Sequence, residues 1–188
     1  MNSESFVDVY HLERFILGDV RNRFEDKGFL NAFDFFCIII WKANRAKPHM
    51  AARLLSQGHT ELEDAVHALT SKLYAAADQK NRFMVLVRDW GFMLPMATAI
   101  LTVLYPKEFT IYDVRACDVL EDFHRLANRV SPETMWEGYV AFRKAVVSSG
   151  PDHLSLRDKD RSLWAKAAAD QLNRDIRNRF GVQRSRSE

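Results

Sequence analysis

Nowhere in this 188-residue chain do apolar and polar residues alternate for more than four or five positions. Such alternation marks a half-buried strand, so the chain lacks the raw material of a sheet. Glycine and proline are sparse, at seven and five, whereas sandwiches and barrels need many turns. What recurs is helical spacing: Val9, Leu12, Phe15, Ile16, Val20 and Phe24 share one face between Ser5 and Phe24, and Gly28 closes that segment. The expected fold is all-α, without repeats. With 47% apolar residues, the chain can bury the core of one domain, in one lobe or two.

Caps mark the later helices. Asn31, with Asp34 three residues on, opens a helix whose run FDFFCIIIW is apolar all round, so it is expected to be central and buried. It turns polar at Lys42-Ala43-Asn44-Arg45-Ala46-Lys47-Pro48, before a short helix over roughly 50–55. Thr60 and Glu63 read as a capping box ahead of the stripe Leu62, Val66, Leu69 and Leu73. Helices are expected over 81–90, 94–105 and about 113–126. Ser131-Pro132 opens another to about Val147, and Ser155 with Asp158 opens the last. The last helix should pack Leu163 and Trp164 on the core and expose a solubilising charged face. Phe109 to Tyr112 alternates but is short and isolated.

Net charge is only +2, yet the last fifteen residues hold five arginines against Asp175 and Glu188. That divides the chain into a body, 1–173, and a basic tail, 174–188, which suits an anionic partner or simply a solvated terminus. Cys37 and Cys117 form no C-x-x-C pair and read as buried, reduced thiols of a cytoplasmic protein. The acidic start MNSESFVDVYHLERF is unlike a signal peptide, and the longest apolar run, Phe35 to Trp41, is too short to span a bilayer. The six histidines make no zinc-type spacing, and neither a Walker loop nor G-x-G-x-x-G is present, so no metal and no cofactor is expected.

One carboxylate stands out. The helix 94–105 stops at Tyr105-Pro106, a few extended residues follow, and Asp113 opens the next helix. Upstream, helices 81–90 and 94–105 are joined by a tight turn at Gly91-Phe92-Met93 and Leu94, with Pro95 in the first turn of the second helix. Free amides at such a turn suit a phosphate, although most helical pairs of this kind merely pack.

The order of these elements over roughly residues 30–125 resembles the helix-hairpin-helix DNA glycosylase superfamily of endonuclease III, adenine glycosylase and 3-methyladenine glycosylase. Aligned on Ala97-Thr98-Ala99-Ile100-Leu101, the first hairpin glycine of that family falls on Gly91, and its catalytic aspartate, about a dozen residues after the end of that motif at Leu101, on Asp113. The segment FDFFCIIIWKANRAK is similar to the family's apolar helix and polar loop that line the base pocket. Departures are plain: Asp89-Trp90 replace the family's Leu-Pro, Met93 its second glycine, and Pro95 the lysine nucleophile of its bifunctional members. Two cysteines cannot hold the iron–sulfur cluster of some relatives.

The resemblance implies a monofunctional DNA glycosylase that hydrolyses the N-glycosidic bond of a damaged or modified base. Asp113 would stabilise positive charge developing on the sugar, or activate water. Gly91, Phe92, Met93, Leu94, Lys42, Asn44, Arg45, Lys47 and Arg115 are the candidates for touching DNA, and Trp41, Phe36 and Trp90 for lining a pocket around a flipped base. Simpler roles fit the same residues: a helix cap for Asp113, core for the aromatics, a solvated helix end for the cations. A catalytically inactive DNA-binding relative and an all-α protein-interaction module are the alternative readings. The chain is expected to be a monomer with DNA as its partner and no membrane association.

Overall fold

The computed structural model describes residues 3–129 and 131–181. Among these residues the regular structure is entirely helical: α1 (Ser3–Tyr10), α2 (Leu12–Phe15), α3 (Arg21–Lys27), α4 (Ala32–Ala43), α5 (Lys47–Leu55), α6 (Leu62–Ala75), α7 (Gln79–Met84), α8 (Leu94–Leu104), α9 (Val114–Leu120), α10 (Pro132–Ser148) and α11 (Leu156–Arg177). None is long and apolar enough to cross a membrane. A π-helical turn, Ile16–Val20, joins α2 to α3, and a second, Val85–Asp89, extends α7. Gly28 ends α3 in the left-handed conformation, φ 77°, where a side chain would be strained.

Side-chain caps set several boundaries. Asn31, Ser131 and Ser155 each accept the N–H of the residue three positions on, as their sequence positions predict. Asp78 does the same for Asn81, so α7 begins at Gln79, ahead of the expected 81. The expected capping box at Thr60 does not form: α6 starts after Glu61, and Glu63 accepts the Ala32 N–H at 2.9 Å, tying α6 to the start of α4. The helix after Asp113 stops at Leu120 because Glu121 turns left-handed, φ 57°. The last helix continues through Arg174 to Arg177, so the basic tail begins as helix; Arg184 and Arg186 lie outside the described residues.

α4 packs against α2, α5, α6 and α8, as a central helix should, but the more completely buried helix is α8. Every α8 residue except Pro95 is buried, whereas Phe33 at the start of α4 is 51% exposed. α8 packs against α3, α4 and α7. Its two internal threonines cause no unsatisfied burial, because Thr98 donates to the Leu94 C=O at 2.9 Å and Thr102 to the Thr98 C=O at 2.7 Å.

After α8 the chain runs extended through Phe109, Thr110, Ile111 and Tyr112, all buried. No neighbouring strand is there to pair them, so their polar groups must find other partners. Phe109 N–H bonds back to the Tyr105 C=O at 3.1 Å. The Tyr139 hydroxyl of α10 accepts the Thr110 N–H at 3.0 Å and donates to the Thr110 C=O at 2.8 Å. The Ile111 N–H supports the Asp160 carboxylate, and the Tyr112 N–H donates to the Thr98 hydroxyl at 3.0 Å. Helices α8, α10 and α11 thus fix the segment that ends at Asp113.

Replacing Tyr139 by Phe should leave the Thr110 amide buried without a partner and cost about 1–3 kcal/mol, read as a lowered urea midpoint. An unchanged midpoint would mean that this pairing does not limit stability.

Candidate functional site

Asp113 is the N-cap of α9. Its Oδ1 accepts the Arg115 N–H at 3.0 Å, and its Oδ2 accepts the ammonium of Lys42, in the last turn of α4, at 2.6 Å. The two side chains are 22% and 16% exposed, so the pair is shielded but still reached by solvent. It opens onto a cleft of about 490 Å³, within the range of small-ligand sites.

Four parts of the chain wall this cleft. α2 supplies Glu13, α4 supplies Trp41 and Lys42, the extended segment supplies Ile111 and Asp113, and α11 supplies Arg157, Asp160, Arg161 and Trp164. The α11 residues recur at helical spacing, which puts them on one face. Arg157 bonds both Glu13, at 2.6 Å, and Asp160, and its guanidinium lies over the Trp41 ring, 5.2 Å from the centroid. Arg161 adds a second contact to Glu13, at 3.0 Å. Opposite the carboxylate's helix start, Arg115 stacks on the Trp164 ring at 4.5 Å.

The cleft is electrostatically closed on itself. Lys42, Arg157 and Arg161 face Asp113, Asp160 and Glu13, and each charge touches an opposite one. Burial pushes the Asp160 carboxyl above its ordinary range, against the opposing pull of Arg157 and the Ile111 amide. Burial also pushes Glu13 up, but the hydrogen bonds and charges of Arg157 and Arg161 outweigh it, and its pKa is lowered. Among the described residues no group of three His, Cys, Asp or Glu is arranged to hold a metal.

The sequence-predicted residues divide. Asp113, Lys42 and Trp41 meet in the cleft, with Arg115 on the Trp164 face beside it. Asn44, Arg45 and Lys47 are exposed where α4 passes into α5, directly after Lys42. Phe36 does not reach the cleft: five positions from Trp41, it points about 140° away around α4 and packs edge-on against Phe35. Trp90 does not reach it either; it is 3% exposed and stacks on His59. In the Gly91 turn, Phe92 and Leu94 fill the core, Met93 is 57% exposed, and the Phe92 N–H is already given to the Leu86 C=O at 2.8 Å. None of these four lines the cleft. The Arg53 guanidinium lies against Gly91, where a Cβ would come within 2.5 Å of its nitrogen.

Glu13, Arg157, Asp160, Arg161 and Trp164 escaped the sequence reading. The charged face of α11 looked solubilising, and Trp164 was expected in the core but is 47% exposed. The available signal was the spacing 157, 160, 161, 164, which joins opposite charges and an aromatic on one face. No protein-family model, curated protein or solved structure matches the chain.

The lowered pKa of Glu13 means that its contribution to stability is present above the ordinary glutamate range and is lost as pH falls through and below it. Asp160, raised, acts in the opposite sense: its contribution is present below the ordinary aspartate range and is lost as pH rises toward its raised pKa. Glu13→Gln should therefore cost under about 1 kcal/mol at pH 7, since exposure screens the bridge. That difference from wild type should shrink below about pH 4.3, as measured by urea unfolding. A pH-independent difference would disconnect Glu13 from the two arginines.

Proposed function

We propose that the chain is a DNA glycosylase-like enzyme that hydrolyses the bond between a damaged or modified base and its deoxyribose, with Asp113 as the catalytic carboxylate. The observation that carries this reading is the placement of that one carboxylate. It stands at a helix start, on the wall of an open cleft, with Lys42 at 2.6 Å and the indoles of Trp41 and Trp164 lining the same space.

Breaking an N-glycosidic bond builds positive charge on the sugar and negative charge on the departing base. Asp113 answers the first, with one oxygen steadied by the Arg115 N–H. Lys42 is a cation beside it for the second. Trp41 and Trp164 are flat surfaces for an extruded base, which would take the ring face that Arg157 or Arg115 does not cover, and stacking on an aromatic is worth about 1–3 kcal/mol per base. The exposed Asn44, Arg45 and Lys47 continue from the same helix end and suit the duplex backbone. α7 with its π turn, the Gly91 bend and α8 make the helix-hairpin-helix element of this reading, with Arg53 over the bend for a phosphate. Pro95 stands where the resembled family carries its lysine, so base release by this route is hydrolytic.

A second reading is a catalytically silent module that grips distorted DNA. The observation in its favour is that both oxygens of Asp113 are already engaged, by Lys42 and by the Arg115 amide. A panel of duplexes carrying alkylated, oxidised or deaminated bases separates the two. On the substrate that is processed, Asp113→Asn should lower base release by at least about 10²-fold, while the cap is kept, because Asn caps a helix as well as Asp, and thermal unfolding falls only modestly through the lost ion pair to Lys42. Equal release by both proteins would remove Asp113 from the chemistry. Salt-sensitive binding with no release from any duplex would favour the silent module, and no binding at low salt would exclude both in favour of a protein-interaction role.

A further inference from the structure

We infer that Arg157 and Arg161 form a subsite for one phosphodiester of the bound DNA strand, and that Glu13 occupies this subsite until the strand displaces it. The inference rests on the reading of the cleft as a DNA base-excision site. It assigns to α11 a backbone contact separate from the Gly91 turn and from the basic stretch after Lys42.

The donors are already in place. Arg157 and Arg161 lie one turn apart on the face of α11 that walls the cleft. One oxygen of Glu13, Oε1, accepts from Arg157 Nη2 at 2.6 Å, from Arg161 Nη2 at 3.0 Å and from Arg161 Nε at 3.2 Å. Two guanidinium forks thus share a single acceptor atom, although each is shaped to hold an oxyanion by two parallel bonds. A phosphodiester has two non-bridging oxygens and can give each fork its own. The remaining bonds of the two arginines, to Asp160 and to Asp158, run along α11 and need not break.

Charge and exposure favour the exchange. Glu13 carries one negative charge and so does a phosphodiester, so the balance of three cations and three carboxylates in the cleft is kept. Burial alone would raise the Glu13 pKa, yet the two arginines hold it lowered, which shows that the pair favours an anion between them. Glu13 is the occupant that can leave: its side chain is 39% exposed and stands on the four-residue helix α2. Arg161 is 46% exposed, so an incoming oxygen can reach it directly. Trp164 follows Arg161 by three positions and lines the same cleft. An aromatic plane therefore lies beside the phosphate position, the pairing by which single nucleotides of a strand are held.

The test measures, by fluorescence anisotropy, the Kd of the full chain for a labelled duplex holding one tetrahydrofuran abasic analogue. Base release from the lesion panel is measured in parallel. Glu13→Gln removes the competing charge and is expected to tighten binding about two- to fivefold, the range that an exposed ion pair is worth. Arg161→Gln is expected to weaken binding and to lower the slope of log Kd against log salt by about one. Neutral methylphosphonates, placed one at a time around the analogue, then locate the contact: at one position both variants should bind as wild type does. The inference is overturned if Glu13→Gln binds no tighter, or if Arg161→Gln leaves affinity and salt slope unchanged. It is also overturned if both effects persist wherever the neutral group is placed, which marks a general field and not a subsite. Base release by wild type alongside any of these results leaves the hydrolase reading intact. Absence of both duplex binding and release would sink both. If Arg161→Gln does not fold, the methylphosphonate scan on wild type and Glu13→Gln still decides.

Discussion

A buried extended segment in an all-helical protein has to borrow its hydrogen bonds, and the rest of this structure depends on how it does so. Thr110 is paired on both sides by one phenol, Tyr139, whose hydroxyl accepts and donates at the same time. Tyr112 is paired by Thr98, which is free to accept because its own proton goes to the Leu94 carbonyl. A backbone without sheet partners would otherwise lose several hydrogen bonds to burial, each a full desolvation loss. The four residues between α8 and α9 therefore form a strut clamped by α8, α10 and α11. Asp113 is the first residue past the strut, which is why a side chain at a loop-to-helix junction has a defined place.

The second organising feature is charge matching. Three cations and three carboxylates share the cleft, and none is left single. Ion pairs taken out of water gain less by attraction than they lose by desolvation unless geometry is good, so such a set adds little to stability and is better understood as a constraint on position. Glu13 is the most exposed of the carboxylates and comes from the first part of the chain, some 140 residues from the arginines it joins. An anion entering the cleft would compete with Glu13 first for Arg161, the most exposed of the three cations, since Arg157 and Lys42 are both largely shielded.

Much of the fold was legible because its signals are local. The all-helical class followed from spacing, and the caps at Asn31, Ser131 and Ser155 followed from residue type, since a cap is decided within four residues. Thr60 failed as a cap because Glu63 found a partner on another helix, an outcome no local pattern contains. The run FDFFCIIIW looked more central than LPMATAILTVL because it is richer in large apolar side chains. Both helices touch many neighbours, but α8 is buried along nearly its whole length, with the small Ala97 and Ala99 fully covered, whereas α4 leaves Phe33 exposed at its start. In the cleft, Asp113, Trp41 and Lys42 were visible as candidates, while Trp90 and Phe36 turned elsewhere. Whether an aromatic faces core or cleft depends on the rotation of its helix against partners far away in sequence. Arg157, Asp160, Arg161 and Trp164 were hidden for the same reason: a striped charged face reads as solvated until something packs over it.

α11 forms one wall of the cleft along four residues and also packs against α9, whose first turn carries the facing carboxylate. The two jaws are thus held together by helix-on-helix packing. Small side chains, Ala116 and Cys117 on one helix and Ala167 on the other, are buried there, and small buried side chains let helices pack closely. The width of the cleft thus depends on apolar packing behind its walls, so a larger side chain at one of these positions would shift the spacing of the charged pairs without replacing any of them.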